Sequence, residues 1–265
     1  GIMAGATGLR HLAGGRLSEA WRRFAKGLRF VASDASYDLF DEICAEEARR
    51  GFKSIFFFAD ETGRRGFRSW LIDPVYKADE PPMRQRIREL RRKGWGLGIH
   101  PGYETWRDSA RLAMTRAEVS RAAGVEVRLC RQHWLRFSWA QTWKAQHEAG
   151  VAVDFTLGFN DRPGFRNGSA LRYTPFDHDT QRPMPIEAIP TMFMDSHFYD
   201  YASPDDPVVA MTPWIEEVLA VRGEASLIWH SQTMHPEYGW AGGYLALLDF
   251  LKARNAPVVS QISPA

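Results

Sequence analysis

The 265 residues carry 34 Lys and Arg against 32 Asp and Glu, a net charge of +2 with no dominant basic face, which sets aside a nucleic-acid binder as the leading class. Hydrophobic residues at 45% and charged residues at 25% exclude disorder, collagen-like repeats and coiled coil. Two cysteines, Cys44 and Cys130, cannot build a disulfide framework, no CxxC pair exists to bind zinc, and no apolar run approaches the roughly 20 residues needed to span a bilayer.

The chain starts at Gly1, as a processing remnant or a fragment would, and without a basic stretch leading into an apolar one, so a cytoplasmic location is expected. Leu9 to Phe30 is Arg-rich with helical apolar spacing, and residues 1–36 read as an N-terminal helical segment ahead of one domain over 37–265. Tyr37 to Arg50 then reads as a helix stopped by Gly51, followed by the apolar strand Lys53 to Ala59. The same unit recurs three times. Pro82 to Arg92 leads to the strand Trp95 to Ile99, Asp108 to Ala123 with Gly124 to Val125–Cys130, and Thr142 to Ala149 with Gly150 to Val151–Asp154. Repeated helix, glycine and strand units imply a parallel sheet in an α/β fold, doubly wound or barrel. Phe159 to Pro183 lacks periodicity and reads as a long loop over one rim, Met184 to Met194 as a strand region, and Pro207 onward as a helix. Ala225 to His230 reads as a strand, Tyr238 to Ala253 as a helix and Pro257 to Ser260 as the last strand. The arginines of Pro82–Arg92 read as a solvated helix face.

In parallel α/β folds chemistry collects at the carboxyl ends of the strands. Those ends are Asp60, His100 with Glu104, Arg131 through Arg136, Asp154, and His230. His100 and Glu104 are spaced to share a divalent metal if the segment turns helical, although a strand-end His is also common as hydrogen-bonded structure. His230 suits a general acid or base near neutral pH, with the same structural alternative. Arg131 and Arg136 flank His133 beside Trp134, a guanidinium and aromatic grouping suited to carboxylates or sugar hydroxyls. Asp154 lies in an apolar strand and needs a partner, for which Arg131 and Arg166 are candidates. The 16 Phe, 10 Trp and 8 Tyr are first of all core material, yet Trp and Tyr also stack on sugars.

Five segments together resemble the polysaccharide deacetylases of the NodB-homology, carbohydrate-esterase type, in a divergent bacterial branch. They are Lys53–Phe58, Gly98-Ile99-His100-Pro101-Gly102-Tyr103, Arg131-Gln132-His133-Trp134-Leu135-Arg136-Phe137, Asp154–Phe159 with Gly164-Phe165-Arg166, and Leu227-Ile228-Trp229-His230. The resemblance spans Tyr37 to Ser260. It implies a distorted (β/α) barrel and metal-assisted removal of acetyl groups from a polysaccharide or oligosaccharide, with zinc or a similar divalent ion as cofactor. By the same resemblance His100 matches the first metal histidine, Arg131 the arginine that orients the base, His230 the general acid, and Asp154 a position lining the site. Tyr103, His133, Trp134, Arg136, Arg166 and Trp229 fall where substrate would be bound. Glu104 stands where the family has a second metal histidine, and Asp34, preceded by Ser33, is the one match to the first motif's aspartate pair. In the divergent branch that motif lies upstream of a helical insertion like Leu9 to Phe30, which would put it before residue 1. Two other classes stay open: a catalytically silent glycan-binding relative, and a glycoside hydrolase using carboxylates such as Asp154 and Asp195.

Overall fold

The computed structural model describes residues 38–59, 73, 76–202 and 204–262. The expected helical segment over 1–36, with Asp34, and the strand end at Asp60 lie outside them. The described chain is a mixed α/β fold. Helix α1 (Phe40–Arg50) precedes β1 (Ile55–Phe58), α2 (Pro81–Arg92) precedes β2 (Gly96–Ile99), α3 (Ser109–Ala123) precedes β3 (Leu129–Cys130), and α4 (Thr142–Glu148) precedes β4 (Val153–Asp154). A hairpin, β5 (Phe176–Asp177) and β6 (Arg182–Pro183), follows, then β7 (Glu187–Ala188), β8 (Thr191–Met194), α5 (Pro207–Ala220), β9 (Ser226–Ile228) and α6 (Ala241–Ala253). Strands pair in parallel in the order β1-β2-β3-β4-β7, and β8 pairs in parallel with β9.

Local chemistry sets these boundaries. Asp108 caps α3 by accepting from the Arg111 amide, and Gly124 ends it in the left-handed region at φ 68, which an L side chain rarely adopts. Asp206 caps α5, with Pro207 in its first turn. The arginines of α2 are not simply solvated. Arg88 Nε donates to the Ala122 carbonyl at 3.0 Å and Arg91 Nη1 to Ala123 at 3.4 Å, so both close the carboxyl end of α3, and Arg116 Nε closes α4 at the Ala149 carbonyl at 2.7 Å. Cations at helix C-termini satisfy the last carbonyls and complement the dipole.

Two expected strands differ. Only Leu129 and Cys130 of the run Val125–Cys130 pair in the sheet, because the Val127 amide is bonded to Ser120 Oγ rather than to a neighbouring strand. Pro257–Ser260 forms no strand. Val258 and Val259 are exposed, and the segment is tied to the strand edge by Ser260 Oγ and Gln261 Nε2, both donating to the Gly94 carbonyl. The long loop carries the β5–β6 hairpin, and the last helix starts at Ala241 rather than Tyr238. No helix of the described residues is long and apolar enough to cross a membrane.

Alternation along β1 divides the core. Phe58 joins Ile87, Leu90, Ile99, Val119 and Trp143 in the layer between sheet and helices α2–α4, while Ile55 and Phe57 pack on the opposite face against Leu129, Val153, Phe155 and Ile189. A further cluster joins α1, α5 and α6 through Ile43, Phe193, Met211 and Leu247. Glu47, 1% exposed, ties these layers together. Its carboxylate accepts from Trp95 Nε1 at 2.5 Å, Tyr244 Oη at 2.6 Å and the Ser54 amide at 3.0 Å. Glu47→Leu orphans two buried donors and a half-buried amide at once, so a loss of about 3–5 kcal/mol is expected in urea unfolding, a large part of a domain's stability. A loss below about 1 kcal/mol would contradict this account.

Candidate active site

The carboxyl ends of β2, β3, β8 and β9 bring three histidines together. His100 follows β2, and its Nδ1 lies 2.7 Å from the Arg131 carbonyl, an obligate acceptor. The proton therefore sits on Nδ1 and the lone pair on Nε2. Burial first, then the nearby His133, hold the His100 pKa well below its ordinary value, so the ring is neutral. His133 follows β3, and the two rings meet edge to face with centroids 4.9 Å apart. Its Nδ1 is 2.6 Å from Asp73 Oδ1, which also accepts from the Tyr103 amide at 2.8 Å. Among the described residues no protein group bonds the Nε2 of either ring. No three His, Cys, Asp or Glu side chains among those residues cluster tightly enough to hold a metal by themselves.

His230 presents the opposite electrostatics. Its Nδ1 is 2.6 Å from Asp195 Oδ1, and Asp195, fully buried after β8, also accepts from the His230 amide at 2.9 Å, Thr233 Oγ1 at 3.1 Å and the Ser196 amide at 2.8 Å. Burial disfavours the charged ring, but the Asp195 carboxylate outweighs it and the His230 pKa is raised. The same cluster thus holds one histidine whose charged form is disfavoured and one whose charged form is favoured relative to an ordinary imidazole.

Arg131 reaches across the sheet interior. Its guanidinium lies 4.2 Å from the Phe57 ring and 5.9 Å from Phe155, and Nη2 donates to Ser226 Oγ of β9 at 3.3 Å. Burial pushes its pKa down to about 9. Asp154 turns instead toward α4. It accepts from Trp143 Nε1 at 3.0 Å, Gln146 Nε2 at 2.8 Å and the Thr156 amide at 3.2 Å, and burial raises its pKa. These neutral donors, rather than Arg131 or Arg166, satisfy it. With both carboxylates fully buried and engaged, Asp154 and Asp195 do not form the open carboxylate pair that a glycoside hydrolase would use.

The remaining candidates surround the histidines unevenly. Glu104 faces Arg136 in an ion pair at 3.0 Å rather than a metal-ligand cluster, and Arg136 also donates to the Tyr103 carbonyl and lies 4.2 Å from the Tyr103 ring centroid. Trp134, 39% exposed, stands edge-on to Tyr103 at 6.2 Å and can offer a sugar-stacking face. Trp229 packs with Tyr199 and Tyr244 in the α5–α6 core. Arg166 Nη1 donates to the Leu135 carbonyl at 3.3 Å. Trp134 and Leu135 both have positive φ, 58 and 47, which costs each roughly 1–2 kcal/mol for a side chain of this kind. Asp73 and Thr233 were not legible as site residues. Asp73 is 60 residues from His133 in sequence with no motif around it, whereas Asp195 directly after the apolar strand Thr191–Met194 was a findable strand-end carboxylate.

No protein-family model matches the chain, and no curated protein matches it by sequence. Among solved structures, a protein from Mycobacterium smegmatis described as a candidate polysaccharide deacetylase is similar over 99% of this chain and 91% of its own, with 16% identity and a TM-score of 0.51. The two chains share a fold. A GH57 branching enzyme from Thermococcus kodakaraensis is similar over 66% of this chain and 48% of its own, at 11% identity and a TM-score of 0.39, too distant to bear on the site. At these identities the likeness speaks to architecture, and the chemistry has to be argued from the side chains.

Proposed function

We propose that this protein is a metal-assisted, deacetylase-like hydrolase that removes acetyl groups from a glycan. The observation that carries the reading is the pairing, on one rim, of the neutral His100 beside His133 with the Asp195-held His230. We further propose that residues 37–265 form one distorted (β/α) barrel domain preceded by a helical segment over 1–36. Arg131 supports closure, since it links Phe57 of β1 to Ser226 of β9 across the interior.

The two imidazoles fit a divalent metal. Each Nδ1 is anchored to an oxygen, the arrangement that fixes tautomer and orientation in metal-ligating histidines and leaves Nε2 as the donor. His100 and His133 would hold the ion, with a carboxylate such as Asp34 completing the set. When bound, a zinc-like ion polarises the acetyl carbonyl and lowers the pKa of a bound water. His230 supplies the proton that the departing sugar amine or hydroxyl needs, and the Asp195 carboxylate on its Nδ1 favours the protonated ring and holds it in place. Arg131 presents a buried positive charge at the rim to orient the base, and Trp134 and Tyr103 offer aromatic surface for the sugar.

The test is acetate release from N-acetylated and O-acetylated oligosaccharides before and after chelation, with zinc, cobalt or manganese added back. Release that is lost on chelation and restored by metal is expected. Glycan binding without acetate release at any metal concentration would overturn the reading and favour the catalytically silent relative.

A further inference from the structure

The segment His133–Leu135 sends three consecutive side chains in three directions. His133 goes to Asp73 at the site, Trp134 to solvent, and Leu135, 3% exposed, into the interior. Left-handed backbone at Trp134 (φ 58, ψ 24) and at Leu135 accomplishes this, a conformation that neither residue favours by itself. The turn's own bonds, Leu135 amide to the Gln132 carbonyl at 3.0 Å and Arg136 amide to the His133 carbonyl at 3.3 Å, leave the carbonyls of Trp134 and Leu135 outside the turn. Both are met by the same neighbouring loop. Asn160 Nδ2 donates to the Trp134 carbonyl, and Arg166 Nη1 donates to the Leu135 carbonyl. The loop is also shaped to receive the turn. A Cβ added at Gly158 would lie 3.1 Å from Leu135 Cδ1 and 2.8 Å from the Thr191 carbonyl, so a bare backbone lets Leu135 dock there.

We propose that Asn160 and Arg166 are positioning residues that clamp the His133–Leu135 turn in its left-handed form, and thereby aim the His133 imidazole and the Trp134 ring. Persistent backbone strain at a site requires surroundings that over-determine it, and two side-chain donors from one loop on two successive strained carbonyls are such surroundings. Arg166 then acts through the turn, by a bond to backbone, rather than by touching the glycan. The consequence for metal rests on the reading of His133 as a ligand, while the clamp itself does not.

The experiment uses the full chain and the variants Asn160→Asp, which keeps shape and loses the donor, Arg166→Ala, the double variant, and Arg166→Lys. Carbon chemical shifts of Trp134 and Leu135 report the left-handed backbone, and calorimetric titration with cobalt reports the His133 site. In the double variant the left-handed shifts are expected to be lost and cobalt affinity to fall about 10–100-fold, the range seen when groups supporting a ligand are removed. Arg166→Lys, which keeps a donor on a long stem, is expected to stay closer to wild type, with all variants melting within a few degrees of it. Left-handed shifts intact in the double variant, with cobalt affinity within twofold of wild type, would overturn the proposal. Loss of those shifts in a protein whose wild type takes up no cobalt would uphold the clamp and overturn the metal-assisted reading.

Discussion

His230→Gln is expected to lower kcat for acetate release by about 10²–10⁴-fold, the usual contribution of a positioned general acid, while metal uptake stays within threefold of wild type. The reasoning rests on the Asp195 pair. Without Asp195, burial of His230 would favour the neutral ring, the form that has no proton to give from Nε2 once Nδ1 holds the only one. Because the folded-state pKa is raised, the imidazolium persists above the ordinary histidine value, near 6.5, and kcat/KM falls as pH rises through the shifted value. Asp195→Asn keeps the shape but removes the charge, so this falling limb is expected to move to lower pH. A pH profile of the two variants checks both statements. A limb that stays in place in Asp195→Asn, or a glutamine variant within fivefold of wild type, would remove His230 from the acid role. The same linkage acts on stability: the contribution of the His230–Asp195 pair is present below the unfolded-state pKa and is lost as pH rises through the folded one.

The helix–strand rhythm was legible because local chemistry writes it. Gly124 sits in the left-handed conformation that ends α3, and Asp108 and Asp206 sit where helix amides need acceptors. Strand ends were legible as positions, and the structure brings His100, Arg131 and His230, read from three different strand ends, within electrostatic reach of one another. What the sequence hid are distances set by packing. Val125–Val127 is as apolar as a strand, yet the Ser120 hydroxyl captures the Val127 amide and the pairing starts at Leu129. Asp154 is an apolar-strand carboxylate whose partners are the neutral donors of α4, and nothing in its neighbours distinguishes that from an ion pair. The β2–β3 register sets Ile99 opposite Cys130, and the turn that follows β3 brings the His133 ring edge to face with His100, a contact that spacing along the chain does not show. Glu104, four residues after His100, follows a non-helical turn and meets Arg136 instead. Spacing along a chain predicts shared ligation only when the intervening backbone is regular, and Pro101-Gly102 makes it irregular.

That difference yields the second large effect. Titrated with cobalt or zinc, His100→Ala and His133→Ala are each expected to lose stoichiometric metal and with it measurable acetate release, whereas Glu104→Ala binds within about threefold of wild type. Asp73→Asn, which weakens the anchor on His133 Nδ1 without touching a donor atom, is expected to lower affinity about 10–100-fold. Elemental analysis after dialysis and calorimetry on the same preparations separate loss of the site from loss of the fold, provided circular dichroism is unchanged. Asp34→Ala addresses the remaining ligand: loss of metal there assigns the third position to the segment before α1, and wild-type affinity places it elsewhere. If Glu104→Ala abolished binding while His133→Ala bound normally, the ligand set would follow sequence spacing rather than the sheet register. The edge-to-face pair of imidazoles would then be packing, held by Asp73 for structure alone.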